Sequence, residues 1–189
     1  MKEKLKNLCT GIWNVPNVLT MIRIALIPVF VVLFVNDMQK AALVVFLAAS
    51  FTDYLDGYLA RKLNQITAFG KLMDPLADKI MVITVFLCQT VTGTLPWPAF
   101  VIVLGKEVLM VIGGMFMLNK DVVVYSNMMG KVATCFFIAA LTFSFFHAEF
   151  AAMALQLDVI FLWISVVLTL CAFVGYAIPA VKVLRGQKK

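Results

Sequence analysis

Charge is scarce in this chain. Only 14% of its 189 residues are Asp, Glu, Lys or Arg, and 63% are hydrophobic. A soluble core of this size does not require such a composition, whereas a helical membrane protein does. Histidine is almost missing: the single His147 has no second imidazole and reads as a loop or interfacial residue, not as a ligand. Cys9, Cys88, Cys135 and Cys171 are widely spaced and form no CxxC pair. This argues against disulfides or zinc, and the three that fall in apolar segments read as buried small hydrophobes. No repeat or low-complexity tract breaks the sequence. A net charge of +6 raises the question of nucleic acid. The basic residues, however, are not interleaved with aromatics on one surface. They gather at the ends of apolar runs, where anionic headgroups account for them.

What the chain does have is apolar length. Six runs, at about 17–35, 40–60, 72–92, 97–118, 128–147 and 158–180, each suffice to cross ~30 Å of hydrocarbon. Turn-forming residues lie between them: Asn36-Asp37, Gln65 to Gly70, Gly93 to Pro98, Asn119 to Asn127, and His147 to Asp158. Residues 1–14 alternate lysines with apolar side chains and end near Trp13, a pattern for a helix lying in the interface. No small-residue cleavage site follows a short apolar core, so this segment is expected to be retained. The expected fold is all-α: a polytopic membrane protein with six transmembrane helices and an N-terminal interfacial amphipathic helix, in one domain over 1–189. Lys2, Lys4, Lys6, Arg61, Lys62, Lys71, Lys120, Lys131, Lys182, Arg185, Lys188 and Lys189 fall on one side, and only Lys40 on the other. The excess of positive charge predicts both termini in the cytoplasm.

Against this background, four carboxylates between Asp53 and Asp78 need a reason, since the chain holds only 10 acids. Asp53, Asp56 and Ala60 share a helix stripe near the end of the second run, and Asp74 and Asp78 share one at the start of the third. A short connector makes the two helices antiparallel, so the pairs can face each other. An ionised acid in hydrocarbon costs ~2.5–3.5 kcal/mol, and mutual repulsion adds to that. A divalent cation resolves the conflict, and an all-oxygen donor set suits Mg²⁺, Mn²⁺ or Ca²⁺. Gly57 and Ala60 leave room for a ligand near the backbone, and Arg61 offers a donor fork for phosphate. The combination points to phosphoryl chemistry at the cytoplasmic membrane surface, where two metal ions can clamp a phosphate and a spare carboxylate can take a proton. The bland readings are Asp74 as a helix N-cap before Pro75, and Asp53 and Asp56 as ion-pair partners of Arg61 and Lys79.

The stretch matches without a gap the pattern D-x2-D-G-x2-A-R-x8-G-x3-D-x3-D, and thereby resembles the CDP-alcohol phosphatidyltransferase family. The resemblance implies transfer of a phosphatidyl group from CDP-diacylglycerol to an alcohol with release of CMP, by a homodimer in the cell membrane. It implies Mg²⁺ or Mn²⁺, as two ions, held by Asp53, Asp56, Asp74 and Asp78. Asp78 is also the implied general base. Gly57, Ala60, Arg61 and Gly70 are implied to line the CDP pocket. The segment from Asn14 to Arg23, and Asp74-Pro75-Leu76-Ala77-Asp78-Lys79, resemble bacterial members of the family that make phosphatidylglycerophosphate. Asn17, Thr20 and Arg23, near one helix face, read either as holders of the donor's phosphates or as a helix cap with a snorkelling arginine.

Lys106-Glu107 stands where those members have Arg-Glu, and Gly130-Lys131-Val132-Ala133-Thr134 where they have Gly-Lys-x-Lys-Thr. Lys106 and Lys131 are therefore the candidate holders of the phosphate of glycerol-3-phosphate, the expected acceptor, or else lysines that snorkel at the interface. Ala133 and Gly113-Gly114 replace basic residues, which leaves fewer cations for a dianion. That departure keeps open phosphatidylglycerol as acceptor, the reaction of cardiolipin synthases in the same family. A cation or proton transporter is the alternative of another class. It accounts for the acids but not for Gly57, Ala60 and Arg61 among them.

Overall fold

The structure, a computed structural model, describes residues 15–62, 68–118 and 128–184; for 15–16, 53–54, 56–62, 68–72, 74–75, 112–118 and 176–184 it gives the course of the helix alone. The expected interfacial helix over 1–14 lies outside the described residues. Among the described residues all regular structure is helix, with no strand. They form α1 (Val15–Val35), α2 (Gln39–Lys62), α3 (Ala68–Val91), α4 (Trp97–Leu118), α5 (Met128–Ser144), α6 (His147–Ala152) and α7 (Leu157–Leu184). Six of these coincide with the apolar runs. Asn17–Val35 and Leu157–Gly175 are long and apolar enough to cross a membrane. The short α6 falls where the sequence suggested only a connector.

Three described connectors end their helices in the same way. At Asn36-Asp37-Met38, Met38 N–H donates to Leu33 O (3.0 Å) and Asp37 N–H to Phe34 O (3.1 Å). Thr94 N–H donates to Gln89 O and Gly93 N–H to Thr90 O, both at 3.0 Å, after α3. Leu155 N–H donates to Phe150 O (2.9 Å) and Ala154 N–H to Ala151 O (3.1 Å) after α6. Each is a paired closure of the last turn around a left-handed residue: Asp37 (φ 57°), Gly93 (φ 79°) and Ala154 (φ 56°). Such closures satisfy carbonyls that would otherwise be left bare at a helix end.

The chain divides into two compact units, 1–88 and 89–189. In the first, α1 packs antiparallel to α2. The buried residues of α1 are Asn17, Thr20, Arg23, Phe30 and Phe34, one stripe at helical spacing. On α2 they are Ala42, Leu43, Phe46 and Ala49. Ala42 and Ala49 keep the packed face of α2 narrow, and within α1 Phe30 stacks on Phe34 with centroids 5.7 Å apart. Where lipid surrounds a helix pair, such close packing, not water exclusion, holds it together.

In the second unit α5 packs on α7, and α4 on α7 as well. The inner faces are again small or medium-sized: Ala133, Ala140, Leu141 and Ser144 on α5, and Leu162, Ser165, Val166 and Ala172 on α7. An aromatic cluster ties in α6, with Phe143 edge-on to both Phe161 (5.2 Å) and Phe150 (5.8 Å). One expectation fails here. Cys135 and Cys171 are exposed and Cys88 is half-buried, so these thiols are not core fillers. On a helix facing lipid, a small apolar side chain is as well placed outward as inward, which composition alone does not distinguish.

Candidate active site

On α1 the buried stripe turns from apolar to polar along its length, and the buried faces of α2 and α3 continue at helical spacing to the positions of the motif aspartates. On α1, Phe34 and Phe30 give way to Arg23, Thr20 and Asn17, each about 1% exposed. On α2, Ala42, Phe46 and Ala49 lead at i+4 and i+7 into Asp53 and Asp56. On α3, the stripe read backwards from Val85 and Met81, both buried, passes Asp78 and Ala77 to Asp74. Asp78 is half-buried, and its neighbour Ala77 is fully so. The ends of α2 and α3 that carry the carboxylates are joined by residues 63–67 alone.

The register of α1 against α2 comes from one contact. Arg23 Nε donates to Ala49 O at 3.4 Å, with both residues buried. Reading the antiparallel pair outward from there, Thr20 falls level with roughly residue 52 and Asn17 with roughly residue 55. The polar end of α1 thus lies alongside the turns of α2 that hold Asp53 and Asp56. Arg23 does not snorkel; it points inward. This removes the reading of Arg23 as an interfacial anchor.

Asp74 is not an N-cap. α3 begins at Ala68, and the helix runs through Asp74 and Pro75. The side chains of Asp53, Asp56, Gly57, Ala60, Arg61, Gly70 and Asp74 lie outside the described residues, as do those of Gly113 and Gly114. Of the four acids, Asp78 alone is seen in full.

In the second unit, Lys106 pairs with its neighbour Glu107, and their side chains are 13% and 20% exposed. Adjacent helix residues do not share a face, so this pairing turns the two charged heads toward each other at a half-buried point. Lys131 is exposed in the first turn of α5, and Ala133 is buried on the packed face of that helix. Thr134 Oγ1 donates to Gly130 O (3.0 Å).

Two features went unread in the sequence. His147 Nδ1 lies 2.6 Å from Asp158 Oδ2, a pairing across a connector that no local spacing signals. The other is the crowding of Ala49 O, which receives Thr52 Oγ1 (2.7 Å) as well as Arg23. A threonine directly before the first acid of the motif was the available hint.

Comparison with known proteins follows the same residues. The family model for CDP-alcohol phosphatidyltransferase matches residues 13–171. The CDP-diacylglycerol–glycerol-3-phosphate 3-phosphatidyltransferase of Bacillus subtilis is 31% identical over 173 residues, covering 83% of this chain and 90% of the relative. That of Aquifex aeolicus is 30% identical over 174 residues, covering 90% and 98%. The human cardiolipin synthase (CMP-forming) is 38% identical over 100 residues, covering 52% of this chain and 33% of the relative. With the acidic motif on α2 and α3 and a match over most of its length, this chain belongs to the CDP-alcohol phosphatidyltransferase family.

Proposed function

We propose that this protein transfers the phosphatidyl group of CDP-diacylglycerol to glycerol-3-phosphate, giving phosphatidylglycerophosphate and CMP. The observation that carries this is the change from apolar to polar along the buried stripe of α1, whose polar end lies alongside the turns of α2 that carry the first two aspartates of the family motif. The relatives matching most of the chain act on glycerol-3-phosphate by name, which supports the acceptor.

Asp53, Asp56, Asp74 and Asp78 are an all-oxygen donor set, which fits Mg²⁺ or Mn²⁺ and not zinc. Two such ions, when bound, supply charge neutralisation for the acids and polarisation of the donor's diphosphate. The residues of the chain do the rest. Arg61 orients the diphosphate through its donor fork, and Gly57, Ala60 and Gly70 leave the backbone accessible to the nucleotide. Asn17 and Thr20 bring hydroxyl and amide donors to the same level of α2. Asp78 accepts the proton of the acceptor hydroxyl as its oxygen bonds to the lipid-side phosphorus. The bond from that phosphorus to the CMP oxygen breaks, and CMP departs with the electron pair. Lys106 and Lys131 hold the phosphate of the acceptor. All of this takes place in a six-span homodimer with termini and active site on the cytoplasmic side of the cell membrane, where soluble glycerol-3-phosphate is available.

One observation favours a second acceptor, phosphatidylglycerol. Ala133 is buried in the packed face of α5, so that position offers the acceptor no cation. A phosphodiester asks for less positive charge than a phosphate monoester. The deciding experiment is CMP release by purified protein in mixed micelles with CDP-diacylglycerol and Mg²⁺, offering each acceptor in turn. Release with glycerol-3-phosphate is the expected result. Release with phosphatidylglycerol alone makes the protein a cardiolipin synthase, and cation flux in sealed vesicles without CMP release would point to a transporter.

A further inference from the structure

We infer that Arg23 is a positioning residue: through the carbonyl of Ala49 it sets the turn of α2 that carries Asp53. This rests on the reading of Asp53 as a metal ligand.

Three side-chain donors converge on the carbonyls just before the acidic motif. Ser50 Oγ donates to Phe46 O (3.0 Å) and Thr52 Oγ1 to Ala49 O (2.7 Å), both within α2. Arg23 Nε reaches Ala49 O from α1 at 3.4 Å. In a regular helix, Ala49 O is the acceptor for the amide of Asp53, four residues on. Sharing a helix carbonyl with side-chain donors is a general cause of carbonyl tilt, a longer main-chain bond and local helix bending. The direction of the next turn, and with it the Cα of Asp53, then depends on Arg23 from another helix as well as on Thr52 within the turn.

Arg23 is suited to this because of where it is buried. A guanidinium buried between helices costs several kcal/mol unless its donors are used. Ala49, with a single methyl, leaves the space that lets the guanidinium approach the α2 backbone, and both residues are at most about 1% exposed. The contact is longer than an ideal hydrogen bond, so its pull is chiefly that of a charge on a carbonyl dipole, which persists over such distances. Thr52 Oγ1 donates to the same oxygen from within α2. Groups that orient a metal ligand without touching the metal typically change metal affinity 10–100-fold when removed.

The test is Mn²⁺ titration of the purified protein in micelles without substrate, followed by electron paramagnetic resonance of unbound Mn²⁺. Arg23→Gln and Thr52→Val are compared with the wild type, with Asp53→Asn as the control. Size-exclusion profile and melting temperature are recorded for each. The expected result is a Kd for Mn²⁺ raised about tenfold by R23Q and a few-fold by T52V. The KM for CDP-diacylglycerol at saturating Mn²⁺ should stay within twofold of the wild type. A raised KM with unchanged Mn²⁺ affinity would make Arg23 a donor-phosphate contact and overturn the inference. A lower melting temperature with unchanged Mn²⁺ affinity would overturn it in favour of a packing role. T52V, which removes one methyl-sized hydroxyl, decides the matter if R23Q fails to fold: an unaltered Mn²⁺ affinity in T52V counts against the inference. If D53N binds Mn²⁺ as the wild type does, the metal reading itself fails and the inference falls with it. If D53N loses Mn²⁺ while R23Q and T52V do not, only the inference fails.

Discussion

His147 Nδ1 and Asp158 Oδ2 stand 2.6 Å apart, joining the first residue of α6 to the first turn of α7. The Asp158 side chain is fully buried and that of His147 is 36% exposed. Asp158 Oδ1 has no hydrogen-bond partner among the described residues, so the carboxylate depends on His147 for its visible side-chain pairing. His147→Ala is expected to lower stability by about 1–3 kcal/mol, the cost of leaving a buried acceptor unpaired. His147→Gln, which keeps a donor, should cost less. Thermal unfolding in detergent checks both, and CMP release per folded molecule should be unchanged at permissive temperature.

Ala154 adopts φ 56° in the turn that closes α6. A left-handed alanine costs about 1–2 kcal/mol, of which glycine returns part through its own greater unfolded freedom. Ala154→Gly should therefore stabilise the protein by about 0.5–1 kcal/mol. A melting temperature that falls instead would show that the alanine methyl packs usefully.

Asp78→Ala should lower CMP release by ~10²–10⁴-fold, the usual share of a general base. Removal of a half-buried carboxylate should not unfold α3, whose buried residues Ala77, Met81 and Val85 are untouched. Circular dichroism and size-exclusion profile establish folding, and a CMP assay establishes the loss.

Chelation should abolish activity. Mg²⁺ or Mn²⁺ should restore it, whereas Zn²⁺ should not, since the proposed donors are carboxylate oxygens. Activity that survives exhaustive chelation would contradict the assignment of the four aspartates.

Lys131→Ala should raise the KM for glycerol-3-phosphate roughly tenfold, as expected on losing one charged hydrogen bond. The KM for CDP-diacylglycerol should be unaffected. Because Lys131 is exposed in the first turn of α5, no loss of stability is expected. Lys106, paired with Glu107, provides the contrast. Glu107→Gln releases a cation at that point and should lower the KM for the phosphate-bearing acceptor.

Helix positions were legible in the sequence because apolar length is a one-dimensional property. The runs at about 17–35 and 97–118 return as α1 and α4 nearly residue for residue. The grouping of Asp53 with Asp56 and of Asp74 with Asp78 was legible for a related reason: helical spacing fixes which acids share a stripe, whatever surrounds them. The left-handed turns at Asp37 and Gly93 were signalled by residue type, and the one at Ala154 was not. Helix α6 was missed because six residues bounded by Phe146 and Met153 carry no period long enough to read.

Family and reaction class were thus determined by the sequence alone, since the motif that carries them depends on residue type and spacing along single helices. Tertiary structure decided which side chains meet across helices. Arg23, equally readable as an interfacial anchor, turns inward to Ala49, 26 residues away. His147, which had no partner at any local spacing, finds Asp158 across a connector. Cys135 and Cys171 face outward although their segments are apolar. In each case the deciding quantity is the rotation of one helix against its neighbour. Long-range packing sets that rotation, and no window of sequence contains it.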